Sequence, residues 1–426
     1  MLRGAFLFLA AALSLGAAAQ ELPFTHFTTS GQAAPLSSAS VQKIIQDHLG
    51  YVWFGFFSTG VSRYDGHSME HYGVSDGLAD FTVREIVEDE SHHLWIGTDA
   101  GLVVSQKPLD AYRPGERLRF VPQLTARIRR NCLIVSAGGW VWAATNDAIT
   151  RYRFDGGTVR TTVILRAGVQ AMLARADGSV VMGLNDGSVI AYRYGAQKKI
   201  AQLSSPASAF GEQSDGTLWG GSLNGEVWRL DGNTVTVVNR ELTDRIVAVH
   251  PTRSGEVWAA SLGTGALRID GAEQTRITRA SGLLGETLWT ILEDREGNLW
   301  FGQNGGASRL RKGYRAFVAY TERSKPSLPD SSTFAVLPRG SGSVGDYLWV
   351  GTGSGLAAIA PDGTTTTLRV AEGLRSNQIY AIGDDGAGRL WIATSAGLNC
   401  LSLPGNEPLP PQAGSWHRRS GEGMVP

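Results

Sequence analysis

The stretch EDREGNLWFGQNGG, Glu293–Gly306, combines an acidic pair, a glycine turn, a tryptophan and a second glycine turn. The same order returns in QDHLGYVWFGFFSTG at Gln46–Gly60, EDESHHLWIGTDAG at Glu88–Gly101 and DDGAGRLWIATSAG at Asp384–Gly397. Aligned on the tryptophan, the chain reads Trp53, Trp95, Trp142, Val181, Trp219, Trp258, Trp300, Trp349 and Trp391, with spacings of 42, 47, 39, 38, 39, 42, 49 and 42 residues. Nine units fill almost the whole chain beyond its first twenty residues. A motif repeated at a fixed period describes a folding unit before it describes chemistry.

Each unit reads as four short strands. Apolar residues stand nine positions before the tryptophan (Ile44, Ile86, Met172, Val249, Ile291, Ile382) and twelve before it (Val41, Val83, Val169, Ile246, Leu288, Ile379). They mark a first strand that runs into an acidic turn at Asp47, Asp89, Asp294 or Asp385. The tryptophan sits on the second strand, glycines make the next turn, and two more strands complete the unit. Short strands bounded by Gly and Asp turns, four to a period of about 40 residues, predict an all-β β-propeller and not a sandwich. No unit contains a stretch of helical periodicity. The tryptophan is expected to pack between adjacent sheets, a structural role that the replacement at Val181 fits.

Nine units do not make one seven-bladed ring. Two arrangements are open: seven units closing near residue 312 with two more beginning a second propeller, or a single ring of eight or nine blades. We take the first, which divides the chain into a signal peptide (1–19), a first propeller (20–312) and the first two blades of a second (313–426). In that arrangement FTHFTTSGQAAPLSSASV near the N-terminus supplies the outer strand of blade 7. FVAYTERSKPSLPDSSTF, Phe317–Phe334, would do the same for the second ring, and SWHRRSGEGMVP, Ser415–Pro426, resembles a fourth strand and its following link.

Bulk composition narrows the function classes. The chain has 426 residues, 42% apolar and 18% charged, with 54 glycines and 12 tryptophans, as many tight turns with aromatic packing between them require. Lys plus Arg equals Asp plus Glu at 39 each, so no global field favours nucleic acid or an anionic membrane surface. Cys132 and Cys400 fall in distant units, and neither a disulfide framework nor a thiolate metal site is expected. The opening MLRGAFLFLAAALSLGAAAQELP has an early Arg3, an apolar run and small residues before Gln20. That is the pattern of a secretory signal cleaved after Ala19, too short for a membrane span.

The phrase built from these units (V..I.ED..GNLW.GT..GL.R.D, then an aromatic-containing strand and DGL) resembles the two-component regulator propeller repeat. It does so best over Val83–Leu102, Leu288–Arg309 and Ile379–Leu398, with GLRSNQIYAIGDDGAGRLWIATSAGL at Gly373–Leu398 nearest the consensus. The resemblance implies a periplasmic sensor region of a membrane-bound receptor. Tandem propellers are usually followed by an immunoglobulin-like domain, a membrane helix and a histidine kinase or diguanylate cyclase. None of those later parts is legible here, so the chain is expected to be an N-terminal fragment reaching the membrane only through missing C-terminal parts. The chain itself is expected to be no enzyme. A secreted stand-alone propeller binding carbohydrate or protein is the alternative, and a metal-dependent propeller lyase a weaker one.

Candidate site residues follow from where propellers offer a mouth, at the links leading into each first strand. Fourteen positions before the tryptophan these links carry Ala39, Phe81, Ser205, Asp244, Glu286 and Asn377, and variation at one geometric station is how a repeat scaffold acquires specificity. Phe81, Ser205, Asp244, Glu286 and Asn377 are the ligand-binding candidates. They suit a small molecule or oligosaccharide, with Phe81 stacking on a sugar and Asp244, Glu286 and Asn377 taking its hydroxyls. A homodimer is an open expectation. No catalytic residue, cofactor or metal is assigned. His92–His93 read as turn residues lacking a third ligand, the acidic turns are too sparse in oxygens for calcium, and GSGSVGD, Gly340–Asp346, reads as a flexible insertion in a hairpin.

Overall fold

In a computed structural model of the chain, the described residues are 22–30, 34–113, 115–124, 134–145, 148–155, 158–232, 234–314, 327–338, 346–402 and 416–417. The segment expected to be a signal peptide, Cys132, residues 317–326 and the glycine-rich 340–345 lie outside them. The described strands form nine four-stranded antiparallel sheets. The chain divides into two compact units, Leu22–Phe317 and a second containing Val318–Pro426.

The first unit holds seven of the sheets. Their first strands are Val41–Gln46, Val83–Glu88, Ile134–Ala137, Val169–Ala174, Ala207–Glu212, Ile246–Pro251 and Leu288–Glu293. Each packs beside the first strand of the next sheet, and Leu288–Glu293 packs beside Val41–Gln46, so the ring closes at seven. Blade 7 is completed from the far end of the sequence: Phe24–Phe27 pairs antiparallel with Gly306–Leu310, Phe24 opposite Leu310 and Phe27 opposite Ala307. The second unit holds two sheets, whose first strands are Thr333–Leu337 and Ile379–Asp384. Trp416–His417 supplies the fourth strand of the last sheet, pairing with Cys400 and Leu401, and Cys400 is a free, buried thiol.

The repeated phrase has a part-by-part physical account. Trp53, Trp95, Trp258, Trp300 and Trp349 are fully buried, each ring contributing roughly 3 kcal/mol of apolar burial. A buried indole N–H needs an acceptor, and the turn aspartate six positions earlier provides it: Trp53 Nε1 donates to Asp47 at 2.7 Å, Trp95 to Asp89 at 2.6 Å and Trp300 to Asp294 at 2.8 Å. The other oxygen of each aspartate accepts a backbone N–H across the hairpin, from Tyr51, His93 and Asn298 respectively. In units without the aspartate the acceptor changes: Trp219 donates to Gln213 at 2.9 Å, and Trp258 to Glu256 at 3.2 Å.

The Glu or Gln seven positions before the tryptophan ties neighbouring blades together. Glu293 Oε2 accepts the backbone N–H of Arg253 in blade 6, and Glu212 Oε2 that of Ala176 in blade 4. Glu88 Oε2 accepts the N–H of His48 in blade 1, and Gln46 closes the ring by accepting from Arg295 of blade 7. Glycine at the hairpin turn, three before the tryptophan, is required by backbone geometry: Gly297 has φ +87°, a left-handed conformation that side chains resist.

Candidate ligand-binding channel

The seven first strands enclose a central cavity of about 570 Å³. Each strand enters at one face of the ring, the rim, and leaves at the hairpin face. The entry is fixed by a repeated backbone bond. The residue four after the tryptophan donates its N–H to the carbonyl just before the first strand, as in Phe57 to Ser40, Asp99 to Thr82, Leu262 to Arg245 and Asn304 to Thr287. The residues two before each first strand are held as well. Gly60 donates to the Phe81 carbonyl, Gly265 to that of Glu286 and Gly305 to that of Ala39, each from the preceding blade around the ring.

The ring therefore carries Phe81, Ser205, Asp244 and Glu286 on one rim. Phe81 is 52% exposed, while Ser205, Asp244 and Glu286 are half-buried. Asn377 lies in the other compact unit, where its Oδ1 accepts the N–H of Val370. None of the five lines the cavity itself.

The residues that do line it come from a feature invisible in apolar spacing. In eight of the nine sheets the pairing of first and second strand shifts register at the strand's second residue. Such a bulge leaves one residue unpaired and re-aims its side chain. In the first unit the bulged residues are Gln42, Arg84, Gln170, Ser208, Val247 and Trp289, and Gln42, Arg84, Val247 and Trp289 face the cavity. Ser208 instead turns its hydroxyl to the carbonyls of Ile246 and Gly221. Polar and aromatic variation at this station, eleven before the tryptophan, was the available signal.

Arg84 is the strongest group there. Its Nε and Nη2 make a bidentate pair with Asp99 at 2.6 and 2.8 Å, and its guanidinium stands 5.2 Å from the Phe57 ring. Its Nη1 is buried without a hydrogen-bond partner. Trp289 donates Nε1 to Asn304 Oδ1 at 3.1 Å, the same oxygen that accepts the Ser40 hydroxyl, and Gln42 donates to Ser40 in turn. Beneath them Lys43 of blade 1 pairs with the buried Glu85 of blade 2. The deeper wall is apolar, with Ile45, Val87, Val135, Leu173 and Ile291. Chemically this is a pocket with an orienting cation and an aromatic face at one end.

At the hairpin end, His92 and His93 do not act as a pair. His93 is buried, and desolvation holds its imidazole below its usual pKa. His92 turns instead toward Glu88 and toward His48 of the preceding blade, donors brought together from two units. At the same face His250 approaches Glu293 at 3.7 Å. Burial raises Glu293, but the His250 contact and the Arg253 amide and charge together bring it below the ordinary carboxylate value.

Two segments of the chain, 282–305 and 373–396, match the family model described as "Two component regulator propeller". No curated protein matches the chain in sequence. Among solved structures, the chain is similar to the extracellular domain of a protein assigned as a hybrid two-component system from B. thetaiotaomicron. The TM-score is 0.65 at 19% identity, over 92% of this chain and 55% of that one. A second extracellular domain from the same organism, of a protein assigned as a one-component system, matches with TM-score 0.55 at 18% identity, over 89% and 52%. The chain thus spans about half the length of these domains. A streptogramin B lyase is similar over 68% of this chain and 98% of its own, at 14% identity and TM-score 0.55. At such identities the likenesses concern the fold. Among the described residues no helix is long and apolar enough to cross a membrane. Two of the nine units, those of Trp300 and Trp391, thus carry a match to the two-component regulator propeller model, and the other seven share their four-stranded plan.

Proposed function

We propose that the chain is the extracytoplasmic, ligand-sensing propeller region of a membrane-bound receptor of the two-component type, and that its ligand enters the rim end of the seven-blade channel. The observation that carries this reading is a cavity of about 570 Å³ enclosed by all seven first strands and lined by Arg84 of blade 2 and Trp289 of blade 7. Trp289 offers a flat face for a sugar ring or another planar group, and Phe81 stands at the entry. The ligand class is a small molecule or short oligosaccharide bearing a carboxylate or a ring of hydroxyls. Signalling would follow from a ligand that favours one arrangement of the receptor over another. The family repeats and the likeness to extracellular sensor domains support this reading. The repeats and the cavity lining support no catalytic assignment, so we read the chain as non-enzymatic.

The test is a thermal-shift screen of the exported chain against uronic-acid and neutral oligosaccharides and small carboxylates, followed by calorimetry on any hit. Trp289→Ala should weaken the hit at least tenfold, and Asn377→Ala should leave it unchanged. A hit that binds Trp289→Ala as tightly as the parent would remove the channel reading.

A further inference from the structure

The contact between blades 1 and 2 differs chemically from its equivalents around the ring. Between blades 6 and 7, the Glu293 carboxylate that clamps the Arg253 amide is also paired with the Arg253 guanidinium at 3.2 Å. Between blades 4 and 5, Glu212 takes the Ala176 amide and the Arg175 guanidinium at 2.7 Å. A guanidinium stays charged and never becomes a ligand. Between blades 1 and 2, the same carboxylate, Glu88, meets two imidazoles instead. His48 Nδ1 and His92 Nδ1 both approach Glu88 Oε1, the latter at 2.9 Å, and the two rings stack with centroids 3.7 Å apart and planes 25° from parallel. One ligand atom from each of the three residues lies within 4.8 Å of the other two.

His92 also occupies its place at a cost. Seven of the nine units carry glycine three before the tryptophan: Gly50, Gly139, Gly178, Gly216, Gly255, Gly297 and Gly388. In the second unit that station is His92, which takes up the left-handed turn with φ +63°. A non-glycine residue there costs of order 1–3 kcal/mol and persists where the surroundings impose it. The turn gives up its natural residue, and what it gains is a second imidazole on Glu88.

We propose that His48, Glu88 and His92 form a binding site for a divalent transition-metal ion of the zinc type, joining blades 1 and 2 at the hairpin face. Two imidazoles and one carboxylate are a donor set that zinc accepts, at ~2.0–2.2 Å per bond. A tetrahedral ion at such distances keeps its ligand atoms roughly 3.3 Å apart; the near-parallel rings aim their lone pairs side by side, so the two imidazoles splay apart by side-chain rotation for both Nδ1 atoms to converge on one ion. On binding, the ion replaces whichever protons the Nδ1 atoms carry, and those protons leave to solvent. Glu88 Oε2 remains bonded to the His48 amide at 2.8 Å, and Arg295 of blade 7 holds the His48 carbonyl at 2.7 Å, so the ligands are oriented from behind. His48 and His92 side chains are 25% and 44% exposed, leaving room for water at the remaining position. Glu88 also lines the channel, which places the ion at the mouth opposite the rim. The donors that the spacing of the turn histidines does not supply come from Glu88 and from the preceding unit.

The experiment uses the whole chain, stripped with chelator and titrated calorimetrically with Zn²⁺ alone, with Co²⁺ absorption as a second probe. We expect one tight site per chain and a rise in Tm on adding Zn²⁺. His92→Gly, which restores the glycine of the repeat, should be at least as stable as the parent without metal. It should lose more than about 100-fold in Zn²⁺ affinity, beyond what an outer partner costs, and His48→Gln should lose a similar factor. No binding by the parent, or binding that His92→Gly leaves undiminished, would overturn the assignment.

Discussion

The seven-blade unit and the two-blade unit are written in the same phrase, yet their first strands meet different surroundings. Val41–Gln46 and Val83–Glu88 are buried or half-buried at every residue. In the two-blade unit Thr333–Leu337 is exposed at three of its five residues, with Phe334 at 50% and Val336 at 55%, and Tyr380 of Ile379–Asp384 is also 50% exposed. The bulge is present in both units. Local sequence therefore specifies the strand, its bulge and its hairpin, while burial of the first strand is a property of the ring. Phe334 and Tyr380 stand at the bulge station of Gln42 and Arg84, and among the described residues no first strand flanks the pair on its outer sides.

The largest effect expected from this contrast is at the tryptophans. Trp300→Ala removes a fully buried ring between blades 7 and 1, where it packs against Phe27 and Phe54, and should cost about 3–5 kcal/mol. Trp391→Ala removes a half-buried ring and should cost about 1–2 kcal/mol. Denaturant melts that resolve the two units would show this, and equal losses would break the comparison. Asp294→Ala strands a buried indole N–H and should cost about 1–3 kcal/mol. Asp385→Ala, whose bond to Trp391 is 3.3 Å and exposed, should produce a smaller shift in the same melts.

A pH series sharpens the comparison inside the ring. Asp76 is buried, which raises its pKa, but the Arg117 guanidinium at 2.6 and 2.9 Å and the Gly73 amide outweigh that and bring it below the usual carboxylate value. Its stabilisation is then present above the unfolded value of about 3.9 and is lost as pH falls through the lower folded value. Arg117→Ala should lower Tm at pH 7, and the gap to the parent should close below about pH 4. Smallest of all, Phe334→Ser and Tyr380→Ser should move stability by no more than about 0.5 kcal/mol, whereas a ring-wall change such as Ile291→Ser should cost several times more.

What the sequence displayed and what it hid divide along the same line. Trp53, Gly297 and the turn aspartates recur at fixed stations because the hairpin geometry that needs them is the same in each unit that carries them, so spacing alone exposes them. The interblade clamp of Glu88 on His48 and the pair of His48 with His92 were hidden, since their partners belong to different units and only ring geometry makes them neighbours. The bulge was hidden because one unpaired residue leaves the apolar stations at minus twelve and minus nine in place while shifting which side chain faces inward. Phe81, Asp244 and Glu286 lie outside the cavity, and the wall residues Arg84 and Trp289 stand three positions further along the chain from Phe81 and Glu286. His92 had a signal that a comparison of turn stations would catch, an imidazole where seven units carry glycine.

The latch of blade 7 also sets an order of assembly. His26 and Ser308, hydrogen-bonded across that latch, are 282 residues apart in sequence. A ribosome adding about 5–20 residues per second needs roughly a quarter of a minute to a minute to make that interval. The strand synthesised first is therefore the one seated last, and until then blade 7 presents a bare edge able to recruit the wrong strand. Closing so long a loop is slow for a chain of this topology. Clipping the chain between Phe27 and Val41 should leave seven blades in place but let the latch peel away.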